Sequence, residues 1–81
     1  MPKRTFVAEV GGVEFTRTTV RTDRHYTHAV IVCSEARPGV WGFCGSVQLA
    51  RKQLAAAQKV WSKEIASGTA RAFIVPVYER R

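Results

Sequence analysis

Eighty-one residues with 13 Lys and Arg against 6 Asp and Glu give a formal net charge of +7 and an isoelectric point near 10.3. A chain this short builds one domain, here 1–81, with one modest core and little room for a deep substrate cleft. A hydrophobic content of 46% excludes wholesale disorder, and no apolar run is long enough to span a bilayer.

The opening Met-Pro-Lys-Arg-Thr lacks the apolar run of a secretory signal, so a cytoplasmic location is expected. In a reducing compartment Cys33 and Cys44 are expected to be free thiols.

Arg4 to Val10 reads as a strand, Gly11-Gly12 as a two-residue turn and Val13 to Arg21 as a second strand. Both turn positions of such a hairpin want positive φ, which glycine supplies. The turn pairs Val10 with Val13, Ala8 with Phe15 and Phe6 with Arg17 on a mostly apolar face. Glu9 with Glu14, Val7 with Thr16 and Thr5 with Thr18 form a polar, wet face.

Thr22-Asp23-Arg24 reads as a turn, and His25 to Ser34 as a third strand. Its run Val30-Ile31-Val32 is apolar on both faces, which predicts a central place in the sheet. Glu35 to Gly45 reads as a loop or second hairpin with Pro38-Gly39 at its tip and a short strand over Val40-Trp41-Gly42-Phe43.

Ser46 to Ser67 has a helical period. Val47, Ala50, Leu54, Ala57, Trp61 and Ile65 fall on one stripe, and Lys52, Lys59 and Lys63 line the opposite side. Ser46 is the expected N-cap and Gly68 the left-handed stop. Ala70 to Glu79 reads as a last strand, at an edge or bulged because of Pro76, and able to lie parallel to a neighbour through a right-handed crossover. The last residues read as a frayed tail. The expected fold is α+β, in the order β-β-β-(β)-α-β: a mostly antiparallel sheet of four to five strands with one long helix on one face.

Little in the chain supports catalysis. His25 and His28 are an odd number of residues apart, so on one strand they point to opposite faces, and two cysteines cannot close a zinc site. Tyr26 and His28 are expected to share a face with Val30 and Val32 at the sheet rim. Cys33 lies five residues from His28, again on the opposite face, and no nucleophile elbow or phosphate loop is present. No enzymatic activity and no cofactor are expected.

The cations carry the functional expectation. Lys52, Lys59 and Lys63, with Arg51, Arg17, Arg21, Arg24 and Arg37, offer a surface that tracks phosphates without reading sequence. The lysine stripe has no acidic partner at four-residue spacing, unlike a merely solvated face. Trp41 and Phe43, in a glycine-rich loop, either stack on bases or cap the open end of the core.

Phe15-Thr16-Arg17-Thr18, then Arg24-His25-Tyr26-Thr27-His28-Ala29-Val30, and later Trp41 and Gly45-Ser46 resemble small uncharacterised proteins of actinobacteria-infecting bacteriophages, mycobacteriophages among them. The resemblance implies an accessory protein acting inside a bacterium and carries no catalytic residues with it. Two partners are therefore weighed: nucleic acid, bound through the basic surface, and a host protein with an acidic surface, engaged by the sheet face or an exposed edge strand. A homodimer through such an edge is a further expectation.

Overall fold

The computed structural model describes residues 3–20, 25–35 and 37–80. In chain order the elements are β1 (Arg4–Val10), β2 (Val13–Thr19), β3 (His28–Ser34), β4 (Arg37–Cys44), α1 (Val47–Val60), α2 (Ser62–Ser67), β5 (Ala70–Pro76) and β6 (Tyr78–Arg80). The class is α+β, but the strands form two antiparallel sheets of three strands each, β2-β1-β6 and β4-β3-β5, in place of one sheet of four or five.

The hairpin has the expected register, from Val10 opposite Val13 to Arg4 opposite Thr19. Gly11 and Gly12 take φ of 56° and 84°, which closes the turn at no Cβ cost. Its wet face holds one surprise: Val7 is fully buried. Tyr78 stands beside Val7 on β6, and Tyr78 and Arg80 both reach Glu14, at 3.5 and 2.7 Å, across the central strand. The polar reach closes over the valine.

β3 is the centre of its sheet, as its apolar run requires. Ala29 and Ile31 pack toward the first sheet with Ala8, Val10, Phe15, Phe43, Phe73 and Val75. Val30 and Val32 face the helix and meet Ala50, Leu54, Ala57 and Trp61. The core therefore lies on both sides of β4-β3-β5.

The β3–β4 connection departs from expectation. The turn falls just after Ser34, which pairs with Arg37, and Glu35 takes a left-handed φ of 52°. Pro38 and Gly39 lie inside β4, opposite Cys33 and Val32. A proline is tolerated there because β4 is an edge strand and needs no ladder donor on its open side.

Ser46 caps α1 as expected, its Oγ accepting from the Leu49 N–H at 3.2 Å. The helix is not one piece. Trp61 leaves helical geometry at φ −99°, ψ 20° while its N–H still reaches the Ala57 carbonyl at 2.9 Å, so α1 and α2 follow in succession. Gly68, at φ 83°, ends α2; the Gly68 N–H meets the Ile65 carbonyl and the Thr69 N–H meets the Glu64 carbonyl.

The last strand divides at Val77. β5 is antiparallel to β3, correcting the expected parallel neighbour, and β6 crosses to the other sheet and pairs with β1. The expected frayed tail is thus a strand through Arg80: Glu79 is bridged to Arg4 at 3.0 Å and Arg80 to Glu14 at 2.7 Å.

Candidate nucleic-acid interface

The helical period fixes where the basic side chains go. With Ala50 and Ala57 buried against β3, Lys52, Lys59 and Lys63 point away from the sheet and are exposed. On α1 Lys52 and Lys59 sit two turns apart, roughly 10 Å along the axis, and Lys63 follows on α2 just past the joint at Trp61, so the three make a ridge on the outer surface. Among the described residues no ion pair involves any of the three.

Acidic groups gather elsewhere. Glu9 and Glu14 are on the outer face of the first sheet, and Glu14 and Glu79 are each held by an arginine. Hydrogen bonding to Glu79 raises the Arg4 pKa, and hydrogen bonding to Glu14 and Tyr78 raises that of Arg80, so these two terminal arginines are committed. On the helix side Glu35 and the half-buried Glu64 are the acids.

The other expected site residues separate. Arg37, at the start of β4, and Trp41, further along it, lie on one flank of the helix; Trp41 Nε1 donates to Gln53 Oε1 on α1 at 3.3 Å. Arg51 shares a stripe with Gln58 on the opposite flank, above β5. Arg17 belongs to the first sheet, where its Nε donates to Tyr26 Oη at 3.2 Å and its guanidinium lies 5.6 Å from that ring's centroid. It does not join the helix ridge. Arg21 and Arg24 lie outside the described residues, as do the Thr22-Asp23-Arg24 turn and Arg81.

The two aromatic residues of β4 also part company. Phe43 joins the inter-sheet cluster, 5.9 Å from the Tyr26 ring. Trp41 stays at the surface and, with Trp61, lines a groove of about 440 Å³ between β4 and the helix. Sequence reasoning placed Trp61 only in the core stripe and assigned Gln53 nothing. The available signal was Gly39 and Gly42 flanking Val40-Trp41, since glycines inside a strand pattern mark a bulge.

The histidines and cysteines take new neighbours. Regular strand begins only at His28, so alternation does not extend to Tyr26, which packs edge-on against Phe6, centroids 5.1 Å apart, and not on the face of Val30. His28 lies opposite Cys44, with its Nδ1 2.8 Å from Thr27 Oγ1. Burial pushes the Cys44 thiol above its ordinary pKa, which disfavours the thiolate a nucleophile or ligand needs. Among the described residues no three His, Cys, Asp or Glu converge on a point that could hold a metal ion, and no helix is long and apolar enough to cross a membrane.

No family model, curated protein or solved structure matches this chain.

Proposed function

We propose that this protein binds nucleic acid, without catalysing a reaction, through the lysine ridge of α1 and α2 and the adjoining flank of β4. The observation that carries the reading is charge segregation. Lys52, Lys59 and Lys63 form one exposed ridge with no acid bound to it among the described residues, whereas Glu14 and Glu79 are engaged on the first sheet. A ridge of this kind binds phosphates by releasing counterions and reads no sequence. The role is that of an accessory protein in a bacterial cytoplasm, as the phage resemblance implies. Titration of a labelled oligonucleotide at rising salt tests it. Affinity should fall steeply with salt, and the triple change Lys52→Glu, Lys59→Glu, Lys63→Glu should abolish most of it. Flat salt dependence, or a triple variant that binds like the parent, would defeat the reading.

One observation favours a second reading, docking on another protein strand. A two-residue hairpin makes Val10 and Val13 exchange both backbone bonds, so Phe15 and Arg17 also turn their backbone groups to β1. Glu14, Thr16 and Thr18 then present N–H and C=O at the open edge of β2, which has neither proline nor bulge. Such an edge is a template for an added strand. A second copy, related by a twofold axis at Thr16, would place Glu14 opposite Thr18 and Phe15 opposite Arg17, with no like charges facing. Sedimentation of the parent and of Thr16→Pro, which removes only an outward N–H, decides it: a dimer that the proline abolishes is the expected result, and a monomer at all concentrations excludes the second copy.

A further inference from the structure

β4 is interrupted once. Val30 pairs with Gly42 and Ile31 with Val40, leaving Trp41 without a partner on β3. A bulge re-aims the extra side chain. Here the indole is turned to the helix and tethered by its Nε1–H to Gln53. Trp61, at the joint of α1 and α2, also lines the groove, with Val32, Pro38 and Gly39. The volume of about 440 Å³ falls in the range of clefts that hold small ligands. Arg37 and Glu35 supply one charge of each sign at the lining, and Trp41 remains 36% exposed.

Between this groove and the lysine ridge runs a strip of uncovered apolar surface. Leu49 and Val60 are 46% and 66% exposed and share the helix stripe of Gln53, the residue that holds Trp41. The order across the flank is therefore cations, apolar strip, indoles. A duplex keeps its phosphates outermost and its bases stacked, so it can use the cations alone. A single strand can lay its phosphates on the ridge and turn its bases inward, where aromatic faces take them.

We propose that the groove receives an unstacked base of single-stranded nucleic acid, its ring against Trp41 and Trp61 and its phosphates on Arg37 and the lysine ridge. This rests on the nucleic-acid reading above and sharpens it to single strands. The Glu35 carboxylate repels phosphate, so the backbone keeps to the side of the groove that Arg37 and the lysine ridge supply.

The test uses three probes of equal length at low salt: a labelled mixed-sequence single strand, its duplex, and a single strand made abasic throughout. Anisotropy gives affinity and intrinsic tryptophan emission reports the groove. The single strand should bind about tenfold more tightly than the other two and quench the emission, as expected for a stacked base. Trp41→Ala should remove that advantage and leave duplex and abasic binding unchanged. Trp41→Leu, which keeps apolar bulk without the ring, should give the same loss, and thermal melting should show both variants folded. Equal affinity for all three probes without quenching, still abolished by the triple lysine variant, would overturn the groove and leave the basic ridge standing. Failure of all three probes to bind would overturn both.

Discussion

Cys44 lies opposite His28 on the β3–β4 ladder, a neighbour that in a polar setting can draw the proton from a thiol. Here the sulfur sits in the helix-side core at 2% exposure, and burial raises its pKa. Cys33 is half-buried on the other face. A thiol-specific reagent at neutral pH should therefore modify Cys33 first and reach Cys44 only on unfolding, as mass spectrometry of the labelled peptides would show. The sign for stability follows. A thiol whose folded pKa exceeds its unfolded value of about 8.5 stabilises the fold fully below that value, and the contribution is lost as pH rises through the folded pKa. Urea midpoints should fall in mildly alkaline solution, and Cys44→Ala should remove that part of the fall. The opposition of His28 and Cys44 was not legible in the sequence, because it depends on the turn after Ser34 and on the one-residue bulge at Trp41. Val7 was misread for a similar reason: its cover comes from Tyr78 and Arg80, more than seventy residues along the chain.

At the level of elements, Trp41 sets the phase of β4. Counting back from Ser34 opposite Arg37 without a bulge would put Phe43 opposite His28; the extra residue puts Cys44 there and Phe43 opposite Ala29. One residue of slip exchanges the two faces of a strand. The bulge thus sends Phe43 into the inter-sheet core and Cys44 into the helix-side core. Deleting Trp41 outright should leave every remaining β3–β4 pair in register. The deletion variant should unfold cooperatively, within about 2 kcal/mol of the parent in urea, while losing the preference for single strands. Collapse of the fold on deletion would show that the bulge is structural and not a device for aiming one side chain. The elements that sequence did reveal are local. Gly11-Gly12 fixes its hairpin from within, and the stripe from Val47 to Ile65 fixes the buried face of the helices. Pro38 misled because its steric rule permits both a turn and an edge strand.

For the whole molecule, the consequence of +7 depends on where the charge sits. Arg4 and Arg80 are held by carboxylates, whereas the helix ridge, Arg37 and Arg51 are exposed cations on the helix side with no ion pair among the described residues. Four phosphates neutralised on a single strand correspond to a slope of log affinity against log salt of about −3, and reversing the three lysines should flatten it by about two. The ridge was legible in the sequence because a period of 3.6 is a local property. Its distance from Arg17 was not, since that follows from the division into two sheets. The two-sided apolar run of β3 shows that both its faces are covered, but nothing in the pattern of residues says that a second sheet covers one of them.

The passage of the last strand from β3 to β1 at Val77 has a bearing on how the molecule is made. β1 is synthesised before β6, so one of its flanks stays open until Tyr78 to Arg80 have been made. The β1–β2 hairpin therefore stays half-dressed until that late strand docks along it.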